Sequence, residues 1–450
     1  MTKAAYSRFF LCEKYIQSRT YTEDGNMNFF DFMRNTFVTN KPVWNYYGAG
    51  IDTDPVASPE RSVQFIREYF LQGQKGDIVY ELDENLGVNI HGMPLPLSEY
   101  RAIHTVSAFF LGIFLEDCLK QGQCGVDLAV HGDFFPFSYL WFLTCLYHDY
   151  GYIVEENLKP NCRQHSEARV CSKDGCYRLR DINRKLDITY SPYQKISPLL
   201  RRSGQKYNNF HTGRTIITYL LGNSPSLKDG LQFACGAAVA GFRYPQKLLM
   251  QYFSYGIHRL SPPCYNHGII GGYLLFDRFL KVYESAYIHR YPEHGEEYTG
   301  IESFEWSGKH FYIEQIPVFA HIADCIISHN VWKANDVSEA EYLECGLGTL
   351  VGEHFKKIKF QESPLLFILA IVDTIEPYKI YSSKTADQNA VRIWKSIDIS
   401  FANNTLTLSS RYKCRPITKI YERAKGLKAW VDIESVELDS DRKSLSIKFK

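Results

Sequence analysis

The sequence predicts a mainly α-helical protein that carries a small α+β appendage at its C-terminal end. Three observations lead there. Apolar residues recur at helical spacing in segment after segment between about residues 98 and 375. Few runs in that stretch alternate with period two. Alternation then appears late, in Ile397-Asp398-Ile399-Ser400-Phe401 and Thr405-Leu406-Thr407-Leu408, with Asn403-Asn404 as the turn between them. At about 150 residues per domain, 450 residues allow two to three domains. We read an N-terminal region over 1–94 that packs on a central domain over 95–380. The central domain carries an insertion at about 157–210, and a small α+β domain follows over 381–450.

Taken in order, the elements are as follows. Residues 1–97 contain turn clusters such as Asn40-Lys41-Pro42 and Gly48-Ala49-Gly50, with one helix expected near Ser58–Gln72. Ser98 is a candidate cap for a helix whose apolar face is Ile103, Val106, Phe110, Ile113 and Phe114. A second helix runs from about Phe137 through Leu140, Leu143, Cys145 and Leu146 to His148-Asp149, and Gly151 marks its end. The insertion is polar, basic and Cys-containing. Helical signals resume at Arg214–Leu221, Leu231–Ala240, His267–Val282, Ile316–Asn330 and Ser363–Ile375. In the appendage, Thr418–Trp430 reads as helix and Ser444–Lys450 as strand.

Composition narrows the class. A hydrophobic share of 45% with 22% charged residues excludes disordered and fibrous chains. Fifty-one basic residues against fifty acidic ones leave a formal charge of +1, which argues against a surface given over to nucleic acid or an anionic membrane. Local excess exists: residues 178–206 hold eight Lys/Arg against Asp181 and Asp187. Met1–Thr20 is mixed and charged, unlike a secretory signal. The longest apolar runs, Ala108–Leu115 and Leu365–Val372, are too short to cross a bilayer. Twelve scattered Cys without an export signal read as reduced thiols, so a cytoplasmic location is expected. Cys118, Cys145, Cys235 and Cys325 sit among apolar residues and read as core fillers.

The chemistry-bearing feature is a set of His and Asp residues on these helical segments. His148-Asp149 closes the second helix, and His104 lies on the helix before it. His267 opens Asn266-His267-Gly268-Ile269-Ile270-Gly271-Gly272, and His329 follows an apolar face of Phe319, Ile322, Ala323 and Ile326. Asp373 continues the stripe Leu366, Leu369, Ala370, which aims its carboxylate inward. A carboxylate on a core-facing stripe is costly unless it is paired or bound to a metal. Imidazole nitrogens with carboxylate oxygens suit Mn, Fe, Co, Ni or Zn rather than Ca²⁺.

This order, His, then adjacent His-Asp, then Asp with further His between, resembles the HD superfamily of metal-dependent phosphohydrolases. His104, His148-Asp149 and Asp373 match its four-residue pattern, and His267 and His329 match the extra ligands of two-metal members. The resemblance covers roughly residues 95–380 outside the insertion, with Tyr147-His148-Asp149-Tyr150-Gly151 as its local context. It implies an HD-type helical bundle in which His104, His148, Asp149 and Asp373 hold one ion. Asp149 would bridge to a second ion on His267 and His329. Two such ions share a hydroxide of lowered pKa that attacks phosphorus. The implied substrate is a phosphate ester or anhydride, of a nucleotide or a nucleotide-like signalling molecule. Two other readings share the ligand types. One is a di-iron oxygenase of a small polyol or phosphonate; the other is a metal-stabilised sensor without turnover.

Individual residues carry alternatives. His267 reads either as a ligand or as a helix-start residue. For His329 the rival is His321, itself read as a supporting or core group, and Asp324 is a candidate to orient an imidazole. His131 reads as a helix-entry residue, and Glu155 and Glu156 as a solvated helix start. Arg101, three residues before His104, and Arg278, eleven after His267, are the candidate substrate cations. Lys309 and Lys333 flank the His329 helix. Cys162, His165, Cys171 and Cys176 offer four zinc-competent groups in the insertion, as a structural zinc site or as free thiols. The glycines after His267 are expected to serve close packing. The appendage is expected to mediate self-association or sensing. No phosphate-binding P-loop, nucleophile elbow or kinase set occurs.

Overall fold

The computed structural model describes residues 27–36, 99–120, 128–130, 133–135, 137–149, 151–152, 169–172, 175–178, 243–260, 266–273, 275–276, 304–306, 309–311, 315–380, 397–410 and 414–450. This part is 58% helical, with an antiparallel sheet near the C-terminus, in line with a mainly α chain bearing an appendage. The helices expected at Ser58–Gln72, Arg214–Leu221 and Leu231–Ala240 lie outside the described residues. So do Arg278, Cys162, His165, His131, Glu155 and Glu156.

The described elements begin with strand β1 (Met27–Asn28) and helices α1 (Phe29–Thr36), α2 (Glu99–Lys120) and α3 (Phe137–Tyr147). Between α2 and α3 lies a hairpin, β2 (Leu128–Val130) and β3 (Asp133–Phe135). Two more short hairpins follow: β4 (Arg169–Ser172) with β5 (Gly175–Arg178), and β6 (Phe304–Trp306) with β7 (Lys309–Phe311). Helices α4 (Gln246–His258), α5 (residues 267–273), α6 (Gln315–Ser328), α7 (Glu339–Glu344) and α8 (Pro364–Ile375) complete the bundle. The appendage contains β8 (Ile397–Ala402), β9 (Thr405–Ser410), α9 (Cys414–Ala424), β10 (Ile433–Leu438) and β11 (Ser444–Phe449).

Helices α2, α3, α6 and α8 pack on one another. Helix α8 is buried on every side from Leu365 to Val372, as apolar residues all round require, and α2 likewise from Ile103 to Cys118, with His104, Thr105, Ser107, Glu116 and Asp117 among its buried residues. Each such Leu or Ile taken from water contributes about 1.5–3 kcal/mol before chain entropy is subtracted. Helices α2 and α3 are keyed together by Trp141, whose indole N–H donates to the Phe109 carbonyl at 2.8 Å. Gly112 makes this fit possible, because a Cβ there would stand 2.2 Å from the indole ring.

The appendage sheet runs in the order β1-β8-β9-β11-β10, all antiparallel. The expected hairpin at Asn403-Asn404 forms with both residues in the left-handed region, at φ 50° and 55°, the two-residue turn that matches strand twist. Two features lay beyond the sequence pattern. Strand β1 from the N-terminal region extends the sheet at Phe401 and Ser400, and β10 joins it although its burial pattern is not a clean alternation. Helix α9 covers the sheet with Ile417, Ile420 and Ala424, and also packs on α8. That second contact brings the appendage to the site described next.

Candidate metal centre

Local sequence sets up each arm of the site. Helix α3 ends at Tyr147, and the next two residues, His148 and Asp149, form a buried turn. Gly151 follows, where a Cβ would lie 1.9 Å from the carbonyl oxygen of His267. Only a residue without a side chain lets the start of α5 press against this turn. Asn266 caps α5, its Oδ1 accepting from the Ile269 amide at 2.9 Å. Gly268 and Gly272 face α6, with Cβ positions 2.8 Å from the Ile326 oxygen and 2.7 Å from the Ala323 oxygen. The glycines after His267 therefore serve close packing, as the sequence predicts.

Helix α8 begins with Pro364 at its first turn and stops at Ile375. Pro377 disfavours helical backbone at the residue before it, and Glu376 accordingly turns to ψ 122°. A 3-10 turn, Pro377–Ile380, follows. This stop delivers Asp373, Glu376 and Lys379 to one place.

His104, His148, Asp149 and Asp373 each bring a ligand-competent atom to one point, all within 4.8 Å of one another. His104 Nε2 lies 3.1 Å from His148 Nε2 and 3.2 Å from Asp373 Oδ1. His148 Nε2 is 3.3 Å from Asp373 Oδ1 and 3.4 Å from Asp149 Oδ1. The far nitrogens are committed elsewhere. His104 Nδ1–H donates to Glu376 Oε2 at 2.7 Å, and His148 Nδ1–H donates to the Cys145 carbonyl at 2.8 Å. A carbonyl or carboxylate oxygen only accepts here, so each neutral ring turns its Nε2 lone pair inward. Two lone pairs 3.1 Å apart repel unless a cation stands between or beside them.

Protons answer this in the bare chain. Burial and the Lys379 ammonium push the His104 pKa down, but its hydrogen bonds to Asp373 and Glu376 outweigh them and leave it raised. For Asp373 burial pushes up, yet Lys379 and the two imidazoles hold its carboxyl well below the usual range. Burial, with Asp373 and Asp149 nearby, keeps the Cys145 thiol protonated and so no thiolate ligand. The residues present fit a divalent transition metal: two imidazole nitrogens and two carboxylates converge, with the rings held by outer hydrogen bonds.

His329 and His267 continue outward from this group and are not among its four members. The His329 ring is 5.9 Å from that of His148 and 5.4 Å from that of His267. His329 Nδ1–H donates to the Ile326 carbonyl at 2.5 Å. Its buried Nε2 meets no hydrogen-bond partner among the described residues, and burial lowers its pKa to about 3, which keeps it neutral. His267 is arranged differently. The Trp332 indole N–H donates to Asn330 Oδ1 at 2.7 Å, which turns the Asn330 amide N–H toward His267 Nδ1 at 3.2 Å. Its Nδ1 thus accepts, and the ring stacks on Tyr152 at 3.8 Å.

Arg101 lies on α2, but its side chain, like the whole of Arg278, is outside the described residues. Cys171 and Cys176 are paired positions of the β4–β5 hairpin. Asp324 corrects an expectation: its carboxylate accepts from the Arg243 amide at 2.9 Å and the Ser328 hydroxyl at 3.2 Å, and among the described residues it orients no imidazole. Glu376 does that for His104. It also accepts from Ser107 at 2.6 Å and from the Tyr378 and Lys379 amides at 3.0 and 3.2 Å. The signal was present in the spacing: Glu376 stands three residues after Asp373, and Ser107 three after His104. Lys379, on Asp373 Oδ1, was also missed. No family model matches the chain, and no curated protein or solved structure is significantly similar to it. No described helix is long and apolar enough to cross a membrane.

Proposed function

We propose that the protein is a metal-dependent phosphohydrolase that cleaves a phosphate ester or anhydride of a small, nucleotide-like molecule. The reading rests most on the His104–His148 pair, whose Nε2 atoms meet at 3.1 Å while both Nδ1 atoms are tied off. Such a pair is built to share a cation. His104, His148, Asp149 and Asp373 would hold the first ion, and His329 offers a lone pair toward a second; His267 joins only by giving up its Asn330 contact. A bound ion supplies a Lewis acid for phosphoryl oxygens and a water of lowered pKa. The chain's own part is preorganisation: Glu376 fixes the His104 tautomer, Cys145 and Ile326 carbonyls fix His148 and His329, and burial of His104, His148 and Asp149 excludes bulk water.

The test is metal analysis followed by a phosphate-release screen over nucleotides and sugar phosphates with Mn²⁺, Fe²⁺, Co²⁺ and Ni²⁺ under anaerobic conditions. Bound metal and release that both vanish in His148→Ala support the proposal. Iron-dependent oxygen uptake with a polyol or phosphonate would replace it by an oxygenase. Stoichiometric metal with no turnover of any kind would leave a sensor.

A further inference from the structure

Two cations that the metal chemistry does not use converge on Asp373. Lys379, from the 3-10 turn after α8, sets its ammonium against Asp373 Oδ1. Arg423 comes from the other part of the molecule, on α9 of the appendage, and its Nη2 donates to the Asp373 backbone carbonyl at 2.8 Å. Its Nη1 is buried and meets no acceptor among the described residues. A guanidinium nitrogen left without an acceptor in a buried place costs free energy. Lys379 stands at the part of the cluster that is not sealed, since the Asp373 side chain is 19% exposed and that of Lys379 16%, and Arg423 reaches the backbone of the same residue from the appendage.

We propose that Lys379 and Arg423 form an oxyanion-binding subsite beside the His/Asp cluster, one that takes a phosphoryl group of the substrate. The inference rests on the metal-site reading above and adds the groups that bind substrate. Its electrostatics are simple. Asp149, Asp373 and Glu376 oppose Lys379 and Arg423, so with both imidazoles neutral, as metal ligation requires, the side chains sum to one negative charge. A divalent ion on those neutral imidazoles would bring the sum to one positive charge and make the site attract an anion. An ion held by Asp373 would draw on the carboxylate that Lys379 contacts, and so would leave the ammonium in need of another anion. Arg423 offers a planar donor edge of the kind that matches a phosphate. The appendage thereby completes the substrate site of the bundle, a role different from the self-association or sensing that its size alone suggests.

The experiment is titration calorimetry of inorganic phosphate and pyrophosphate into the full chain loaded with Mn²⁺, alongside Arg423→Gln, Arg423→Lys and Lys379→Gln. Metal content and melting temperature are recorded for each. Loss of one charged contact should weaken phosphate binding about 10-fold or more, with metal content unchanged and partial recovery in Arg423→Lys. Wild-type phosphate affinity in both glutamine variants would overturn the subsite while leaving the metal centre standing. So would a fall in melting temperature without any change in phosphate affinity, which marks a purely structural arginine. A wild-type chain that takes up no metal would instead sink the metal-site reading, and this inference with it.

Discussion

His104 Nδ1 and Glu376 Oε2 lie 2.7 Å apart across 272 residues of sequence, both side chains fully buried. The contact decides which nitrogen of His104 faces His148 and Asp373. Replacing Glu376 by Gln removes the charge that makes the imidazole basic and puts an amide N–H among donors. Metal affinity should fall by about 10- to 100-fold in Glu376→Gln, measured by competition with a chromophoric chelator. Wild-type affinity in that variant would mean that Glu376 only packs.

Metal uptake should release a proton. The raised pKa of His104 means that the bare site keeps a proton to higher pH than a free imidazole does, where a ligand lone pair is needed. In the metal-free chain this group contributes stability that is fully present below its unfolded value of 6.5 and lost as pH rises through the raised folded value. Metal affinity should accordingly rise with pH across the neutral range. Calorimetry in buffers of different ionisation enthalpy would read the proton directly, and a buffer-independent heat would refute it.

Gly151→Ala should loosen the docking of α5 on the His148-Asp149 turn. Its Cβ would begin 1.9 Å from the His267 oxygen, so backbone must move, at a cost of about 1–3 kcal/mol or more. Denaturant unfolding should show that loss, and metal stoichiometry should drop where His329 and His267 are displaced. A variant as stable as the wild type would contradict the close approach.

Asp324 gives a separate pH signature. Burial raises its pKa to about 7, against an ordinary 3.8, despite the Arg243 amide and the Ser328 hydroxyl. A carboxyl raised on folding contributes stability that is whole below about 3.8 and is lost as pH climbs through about 7. His321 on the same helix acts the opposite way. Burial lowers it to about 4, so its contribution holds above 6.5 and is lost as pH falls through about 4. Asp324→Asn should flatten the decline between pH 4 and 7 in chelator-treated protein, by a few kcal/mol at most. An unchanged pH profile of urea midpoints would show that Asp324 stays ionised.

How much of this was legible beforehand differs from residue to residue. Periodicity located α2, α3, α6, α8 and the β8–β9 hairpin, because burial of one face or of all faces writes itself into local spacing. It passed over α4, whose apolar residues Leu248, Leu249, Tyr252 and Phe253 are buried beside half-buried polar ones. It also passed over β1 and β10, which owe their strand state to partners already in the sheet.

For the site, the sequence by itself determined the ligand types and that Asp373 would turn inward, since a carboxylate on an apolar stripe has no solvent to face. The mainly α character was settled there too. Only the tertiary structure decided that His104, His148, Asp149 and Asp373 meet at one point, that Glu376 rather than Asp324 orients a ring, and that His267 presents an accepting Nδ1. It also decided that Lys379 and Arg423 both meet Asp373. The reason is that convergence across 269 or 272 residues depends on helix packing and on where a proline ends α8. Hydrogen-bond direction in turn depends on which partner, carbonyl or amide, the fold sets against each ring.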